Sequence, residues 1–452
     1  MKNKKNSKIW LICKEDLRPD ENKPEPKPEN PAKEEDSSNL NKTFKFELTK
    51  SNTWKIAKYI GNDSRVTIPR EYQGKNITEI GNRAFFNSVI QSVTIEGSVK
   101  EIGESAFSGC KNLKEVILNE GLEKIGAEAF YNTNIESITI PGSVKEIGES
   151  AFSVCTNLKE VILNEGLEKI GAEAFSSAKI ESITIPGSVK EIGERAFSGC
   201  KYLKNYLKEV ILNEGLEKIG DWAFEYTNIE SITIPGSVKE IGEGALSSWN
   251  ISSILINSNN KNFEIKDNFF IDKNNKKILA YLDKNAIRVV IPGSVKEFGA
   301  KAFKYTNIKS IAIPGSVKEI NDVAFSGCQN LEEVILNEGL EKIGDWAFEY
   351  TNIESITIPG SVKEIGQSAF YNCTNLKEVI LNEGLEKIGT WAFYGTKIES
   401  ITIPGSVKEI YKGAFYGCPN LKEVTYKGDA SKINWGNIGI DKTKIKIISS
   451  NN

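Results

Sequence analysis

Histidine is missing from this chain, and methionine occurs once, at Met1. Without imidazole, Ser-His-Asp and Cys-His nucleophile pairs, histidine general bases and histidine metal ligands are all excluded. An enzyme built from this sequence would need carboxylate, Lys, Tyr or Cys chemistry. We therefore expect no catalytic residue, no bound cofactor and no metal site.

An excess of one charge and long apolar runs are also missing. Lys and Arg total 58 and Asp and Glu total 61, so nothing favours nucleic acid or an anionic membrane as a partner. No apolar run reaches the roughly 18 residues that a bilayer-spanning helix needs. Apolar residues make up 39% of the 452 residues, which suffices for a continuous core in an elongated array.

Residues 1–43 combine a signal-like start with a polar spacer. Basic residues precede a four-residue apolar stretch, and Cys13 follows it. This start resembles a bacterial lipoprotein signal in which Cys13 would carry the lipid, although a working signal needs about 7–15 apolar residues. A stray thiol in a flexible tail is the alternative. Residues 17–41, rich in Pro, Glu and Lys, favour a disordered tether.

A block of about 45 residues recurs nearly letter for letter. Residues 141–185 read PGSVKEIGESAFSVCTNLKEVILNEGLEKIGAEAFSSAKIESITI, and residues 359–403 are almost identical. A fixed period of this kind predicts stacked copies of one small unit, because each unit buries its apolar face only against its neighbours. Each block divides into two coils of 22–23 residues.

The end of each coil, L/I-x-x-V/I-x-L/I, has the spacing of a leucine-rich-repeat strand. Alternation directs Ile138 and Ile140 into the core and Thr139 outward. A second inward set, from Val144 to Phe152, is predicted on the return arm and to end in one short helical turn. About fifteen strands are expected, ending near Ile95, Leu118, Ile140, Leu163, Ile185, Leu212, Ile234, Ile256, Ile291, Ile313, Leu336, Ile358, Leu381, Ile403 and Tyr426.

Residues 97–118, GSVKEIGESAFSGCKNLKEVIL, resemble the BspA-like leucine-rich repeats, also called the Treponema pallidum type. The resemblance covers roughly residues 66–426, and I-G-x-x-A-F-x-x-C-x-x-L is its most specific part. It implies a mainly β repeat solenoid, right-handed and curved. It also implies a bacterial surface protein that binds host or neighbouring-cell proteins and is not an enzyme. The identity of the partner does not follow from a shared scaffold.

Departures from the repeat divide the chain. Residues 257–285 replace a normal coil, and two strand-like runs there flank a turn at 272–275, which predicts a β-hairpin insert. This insert is either a brace within the array or a protruding contact element. The full division is 1–43 signal-like start and tether, 44–95 N-terminal cap and first coil, 96–256 repeats, 257–285 insert, 286–426 repeats, and 427–452 C-terminal cap and tail.

Cysteines recur at one position of the repeat, where other coils have a small residue. Equivalent cysteines lie two coils apart, about 9.5 Å at a strand spacing of about 4.8 Å. A disulfide needs Cα atoms within roughly 7 Å. We therefore predict six separate buried thiols, at Cys110, Cys155, Cys200, Cys328, Cys373 and Cys418.

An outward row in which Ile alternates with Thr is a first candidate surface for a partner. Exposed Ile on every second strand is unusual for a solvated sheet, although ordinary β-propensity explains it equally well. Lys and Glu alternate beside this row, which favours a self-neutralised surface. The candidate residues are Ile117, Ile162 and Ile211.

Aromatic residues in the G-x-x-A-F turns are a second candidate. Trp and Tyr are frequent anchors of protein interfaces, and packing between neighbouring coils is the alternative. The candidates are Trp222, Trp346, Trp391, Tyr371 and Tyr394.

These features favour a non-enzymatic protein-binding protein, an adhesin or interaction module on a bacterial surface or secreted. Its expected partner is a protein of the host or of a neighbouring cell. An inert spacer or an intracellular scaffold is the alternative, because the signal-like start is short. A carbohydrate-active enzyme that uses two carboxylates is the third hypothesis.

Overall fold

The computed structural model of the chain describes residues 37–199, 207–247 and 251–448. Cys13, most of the predicted tether and Cys200 lie outside these residues. The described chain is a β-solenoid in which one long strand per coil pairs in parallel with the strand of a neighbouring coil. The predicted fold class, a mainly β repeat solenoid, is confirmed.

Long strands number seventeen among the described residues, two more than the sequence predicted. The additional two lie in the predicted caps, where the repeat pattern is lost but parallel pairing continues. The long strands are Arg65–Ile68, Ser92–Ile95, Glu115–Leu118, Ser137–Ile140, Glu160–Leu163, Ser182–Ile185, Glu209–Leu212, Ser231–Ile234, Ser253–Ile256, Arg288–Val290, Ser310–Ile313, Glu333–Leu336, Ser355–Ile358, Glu378–Leu381, Ser400–Ile403, Glu423–Tyr426 and Ile445–Ile447.

A second parallel ladder runs along the return arm and consists of two-residue short strands. Glu146 pairs with Lys169 and Ile147 with Ile170, so the Ile side chains stack in register inside the core. The short strands are Glu101–Ile102, Lys124–Ile125, Glu146–Ile147, Lys169–Ile170, Glu191–Ile192, Lys218–Ile219, Glu240–Ile241, Glu297–Phe298, Glu319–Ile320, Lys342–Ile343, Glu364–Ile365, Lys387–Ile388 and Glu409–Ile410.

The short helical turn predicted after the return arm is wrong. Ser150 and Val154 have φ of 53° and 60°, in the left-handed region. The backbone N–H groups of Ser150 and Phe152 donate to the carbonyls of Ala172 and Ala174 in the next coil, at 2.8 and 2.7 Å. A helix would direct those N–H groups to carbonyls within its own coil. The turn therefore forms a third line of hydrogen bonds between coils.

The core is a column of repeated apolar side chains. Ile138 and Ile140 are 3% and 0% exposed, and Phe152 is fully buried, so the predicted inward positions are confirmed. The Phe152 ring stacks between Phe130 and Phe175, at centroid distances of 5.2 and 5.3 Å. Each coil thus closes the core of the coil before it.

The N-terminal end differs from the predicted tether and cap in one respect. Ser37–Thr43, expected to be disordered, forms an α-helix in which Leu40 is buried. The strands Phe44–Leu48 and Trp54–Tyr59 then form an antiparallel hairpin. Two further strands, Glu71–Tyr72 and Lys75–Ile80, precede the first regular coil, and Lys75–Ile80 starts the ladder of short strands. The C-terminal end has two 3-10 helices, Ala430–Lys432 and Lys442–Lys444.

The insert has three antiparallel strands, Phe263–Lys266, Phe269–Asp272 and Lys277–Tyr281. The sequence predicted one hairpin because the first two strands read as a single apolar run. They are joined at Asp267 and Asn268, whose φ of 52° and 63° match the two-residue turn of a tight hairpin.

The insert contributes side chains to two apolar cores. Phe270 packs with the core of the N-terminal coils, while Phe269 and Ile271 pack with the core of the C-terminal coils. Neighbouring side chains on a strand point to opposite faces, so one strand serves both cores. The strand Lys277–Tyr281 then pairs with Glu297–Phe298 and restarts the short-strand ladder.

Candidate functional site

The outward side chains of the long strands form one surface, here called the strand face. Its central row, here called the stripe, holds the third residue of successive long strands, such as Ile117 and Thr139. The stripe isoleucines are 44–48% exposed, so the predicted outward direction is confirmed. They are Ile117, Ile162, Ile211, Ile335 and Ile380.

Parallel register brings the stripe residues side by side. Thr139 lies opposite Ile162, and Thr184 lies opposite Ile211. Ile162, Thr184 and Ile211 line a shallow groove of about 310 Å³ across neighbouring coils. Along the array, the stripe therefore alternates between Thr and the larger Ile.

Charged side chains beside the stripe neutralise one another. The ammonium of Lys114 lies 4.0 Å from the Glu136 carboxylate, and Lys422 lies 3.4 Å from Glu399. These side chains are 60–77% exposed, so each pair contributes about 0–1 kcal/mol. This row of alternating Lys and Glu leaves little net charge, whereas the row next to the stripe carries Glu on alternate coils, such as Glu115 and Glu160, opposite Ser. The stripe is the most apolar line on the strand face.

A second charge pattern was missed at the sequence level. The order V-K-E-I in one coil becomes L-E-K-I in the next, so opposite charges meet on both sides of the ladder of short strands. Lys145 lies 3.5 Å from Glu168, and Glu146 lies 4.0 Å from Lys169. The exchange of Lys-Glu for Glu-Lys between successive coils is the sequence signal that predicts these ion pairs.

The stripe changes character beside the insert, which was also missed. Leu255, Ile287 and Val290 are 59%, 57% and 88% exposed. Ile287 stands where regular coils have Lys or Glu, and Val290 stands where they have Thr or Ile. These replacements mark the middle of the strand face as an apolar interruption of the charged rows.

The candidate tryptophans lie on another side of the coil, here called the turn face, formed by the G-x-x-A-F turns. Trp222, Trp346 and Trp391 have φ between 51° and 56°. A Cβ added to Gly244 would lie 2.0 Å from the Trp222 ring, and one added to Gly413 would lie 2.6 Å from Trp391. The rings of Trp222 and Trp391 therefore cover the glycine of the following coil, which supports the packing interpretation for these two.

Tyrosines of successive coils stack on the turn face. Tyr371 and Tyr394 are parallel at a centroid distance of 4.6 Å, and Tyr394 and Tyr416 are 5.8 Å apart. Tyr350 meets Tyr371 edge-on at 6.0 Å. The structure thus brings Tyr371 and Tyr394 together but separates them from the stripe, which lies on the strand face.

The five described cysteines of the repeat are free thiols. Cys155 donates to the Phe130 carbonyl at 3.1 Å and contacts the Thr133 hydroxyl at 3.3 Å. Burial raises the pKa of these thiols, in Cys373 to about 12. The prediction of separate buried thiols is confirmed for four of these five, while Cys418 is separate but only partly buried.

A cavity of about 460 Å³ lies where the insert meets the adjoining coils. The carboxylate of Glu243, on its wall, pairs with Lys277 and accepts the Ala300 N–H at 2.8 Å. Glu225 pairs with Lys301, whose ammonium lies 4.5 Å from the Trp222 ring centroid. These carboxylates are engaged by lysines, which leaves them poorly suited to work as a free acid and base pair.

Helices among residues 37–199, 207–247 and 251–448 are too short or too polar to serve as membrane spans.

Comparison with known families gives one match, the BspA type leucine rich repeat region, over residues 78–204, 202–288 and 296–422. A leucine rich cell surface protein from Faecalibacterium prausnitzii has a similar structure, with TM-score 0.63 and 27% identity over 88% of this chain and 96% of that one. A search of curated proteins finds no relative by sequence.

Two further solved structures resemble the chain less closely. The pneumococcal vaccine antigen PcpA has 23% identity and TM-score 0.47, over 90% of this chain and 92% of that one. A leucine rich repeat protein from T. pallidum has 28% identity and TM-score 0.36, over 45% and 85%.

Proposed function

The chain belongs to the BspA type leucine rich repeat family, and we propose that it is a non-enzymatic protein-binding module displayed on a bacterial surface. Its partner is a protein of the host or of a neighbouring cell, which docks along the strand face. The similar protein from F. prausnitzii is a cell surface protein, which supports the proposed location.

The stripe is the observation that carries this proposal. Ile117, Ile162 and Ile211 are about half exposed although they lie on regular strands, each of which pairs in register with the long strand before it. The core does not need them there, because the inward Ile and Val side chains already fill it. A row of half-exposed apolar residues bordered by polar and charged residues suits a protein interface with an apolar centre and a polar rim.

The turn-face aromatics form a second contact zone in this proposal. Trp391 and Tyr416 are 40% and 59% exposed. The stacked rings of Tyr371 and Tyr394 form a rigid ridge beside them. Rigid aromatic side chains lose little conformational freedom on binding. Trp222 and Trp346 contribute mainly to packing between coils.

Export and attachment complete the proposal. Cys13 is the lipid-bearing residue, and the Pro-rich residues after it hold the array away from the cell surface. Protease added to intact cells should then digest the array, and Cys13→Ser should release the protein from the membrane fraction. An array that resists protease until the cells are lysed would favour the intracellular scaffold instead.

Substitution within the stripe tests the docking surface. The triple variant Ile117→Lys, Ile162→Lys, Ile211→Lys places charges on the stripe, while the matched variant with Thr at the same positions uses the residue of the alternate coils. Binding of each protein to a panel of immobilised host extracellular-matrix proteins is measured. We expect the Lys variant to lose about tenfold or more in affinity and the Thr variant to keep most of it.

Two outcomes contradict this surface. Equal binding by the Lys variant and the unsubstituted protein would remove the stripe from the interface. Failure of the unsubstituted protein to bind any protein on the panel would favour the inert spacer.

A further inference from the structure

The ladder of long strands is broken between several coils, but the break beside the insert differs from the others. Elsewhere, as between Glu160–Leu163 and Ser182–Ile185, the two long strands still pack side by side, whereas beside the insert the two long strands of the described chain are separated. The strand Ser253–Ile256 pairs only with Ser231–Ile234, and Arg288–Val290 pairs only with Ser310–Ile313. A strand carries backbone N–H and C=O groups along both edges. Because the strands of the insert join the ladder of short strands instead, each of these two long strands keeps one unpaired edge in the described chain.

The free edge of Arg288–Val290 opens onto a cavity of about 510 Å³. Lys266 and Asp267, at the tip of the first hairpin of the insert, line its far side. The rings of Phe269 and Tyr281 form its floor side. The cavity is thus a groove with an unpaired strand on one wall and aromatic rings beneath, and its volume lies in the usual range for ligand sites.

Uncompensated positive charge flanks this groove. Lys266 and Arg288 are exposed, and neither belongs to an ion pair of the described chain, whereas many lysines of the regular coils do. Arg288 stands where its neighbours have Ser or Glu. Asp267 supplies one negative charge at the rim, so the lining keeps a net positive charge.

We propose that this edge accepts an extended segment of a partner protein as an added β-strand. Main-chain hydrogen bonds to Arg288–Val290 would supply affinity. Apolar side chains at alternate positions of the segment would contact Val290, and an acidic side chain would pair with Arg288 or Lys266. The inference deepens the proposed function, on which it rests, by naming how the partner binds.

Two other occupants fit the groove less well. The chain's own N-terminal residues contain Pro24, Pro26 and Pro28, and Pro cannot donate to a strand ladder. A second copy that paired edge to edge through the same strand would bring its Arg288 near Arg288 of the first copy. Like charges on facing strands are destabilising. An acidic, apolar segment from a different protein meets neither obstacle.

Selection of peptides tests the proposal while the partner is still unidentified. A phage library of random octapeptides is selected on the full chain and depleted on the double variant Arg288→Glu, Val290→Lys. We expect enrichment of sequences that alternate apolar or β-branched residues, include Asp or Glu and exclude Pro from the middle. Enriched peptides that bind both proteins equally, or no enrichment at all, would overturn the proposal.

A synthetic form of the enriched peptide then tests the strand geometry. Its affinity should fall about tenfold or more when alternate backbone amides are N-methylated, because the added strand loses donors. Arg288→Glu should weaken it severalfold, and exchange of its acidic residue for Lys should restore binding to that variant. The matched variant Ser355→Glu, at the same position of the strand Ser355–Ile358, which pairs on both edges, should bind like the unsubstituted chain.

Hydrogen exchange locates the bound peptide. Amides of residues 288–290 should exchange more slowly with peptide present, while those of residues 355–358, on a strand paired on both edges, should not change. Protection elsewhere, or an N-methylated peptide that binds equally well, contradicts strand addition. These readouts are independent of cell location and of the stripe variants, so a failure of the proposed function and a failure of this inference give different results.

Discussion

Glu165 accepts a hydrogen bond from the backbone N–H of Ser188, at 3.0 Å, across the boundary between two coils. The second carboxylate oxygen accepts the N–H of Gly187, also at 3.0 Å. In return, the Ser188 hydroxyl accepts the N–H of Gly166 at 2.9 Å. The N-E-G turn of one coil and the P-G-S turn of the next are therefore joined by reciprocal hydrogen bonds. This explains why the two turn sequences alternate through the repeat.

The same clamp recurs in five pairs of coils. Backbone N–H donors lower the pKa of Glu165, Gly187 first and then Ser188, and Gly360 and Ser361 do so for Glu338. Because the folded chain favours the ionised carboxylates, their contribution to stability is present above the unfolded pKa, about 4.3. It is lost as the pH falls through the lower folded value.

Removal of the clamp charges should lower stability at neutral pH and flatten the acid response. We expect the variant to have a lower melting temperature at pH 7 than the unsubstituted chain. Its melting temperature should then fall less between pH 5 and pH 3, as thermal melts across this range would measure. The variant replaces two carboxylates with Gln, at Glu165 and Glu338.

A matched control changes the same number of charges on the strand face. It should leave the melting temperature at pH 7 close to that of the unsubstituted chain, and equal losses in both variants would show that the clamp contributes nothing specific. The control replaces Glu160 and Glu333 with Gln.

Glycine in the P-G-S turn should matter only where the next coil approaches. A Cβ at Gly142 would lie 2.7 Å from the Glu165 carbonyl, whereas one at Gly293 meets no atom within 4 Å. We expect Gly142→Ala to destabilise by about 1–3 kcal/mol and Gly293→Ala to be neutral or to stabilise by about 0.4–1 kcal/mol. Equal melting temperatures for the two variants would contradict the close approach.

The fold was largely predictable because the spacing of apolar residues in the repeat indicates which side chains pack in the core. Ile138, Ile140 and Phe152 recur at fixed spacing, so one inward assignment holds for every coil, and the family resemblance is confirmed. The turn was mistaken for a helix because A-F followed by small residues also suits a helix. Left-handed φ at Ser150 and Val154 depends on hydrogen bonds to the next coil, which a single coil does not reveal.

The surfaces were less predictable because they depend on neighbours. Trp222 sits at a position that carries Ser, Glu or Arg in other coils, and its ring covers Gly244 of the next coil. The free edge of Arg288–Val290 arises because the insert joins one ladder and skips the other. Neither relationship can be read from the residues of one coil.

Phe152→Ala should open the stacked column of Phe rings. The ring is fully buried between two others, so we expect a loss of about 3–5 kcal/mol, measured as a lower urea midpoint. Thr139→Ala, on the exposed strand face, should change stability by less than about 0.5 kcal/mol. An unchanged midpoint for Phe152→Ala would refute the inward assignment.

The repeat cysteines should resist thiol reagents in the native chain. With a pKa of about 12, only about one Cys373 thiol in ten thousand is ionised at pH 8. Mass spectrometry of a Cys13→Ser, Cys200→Ser background should show Cys418, which is less buried, modified first. All five should react together in denaturant, and rapid native modification of Cys373 would contradict its burial.

Residue-resolved hydrogen exchange tests the central claim, that successive coils are hydrogen-bonded in one repeating register. The N–H of Gly148 bonds to the Ile125 carbonyl and that of Gly171 to the Ile147 carbonyl, both at 2.8 Å. The account predicts slow amides at these glycines and at their equivalents, one in each successive coil. Rapid exchange at these glycines, or protection without that period, would contradict the account.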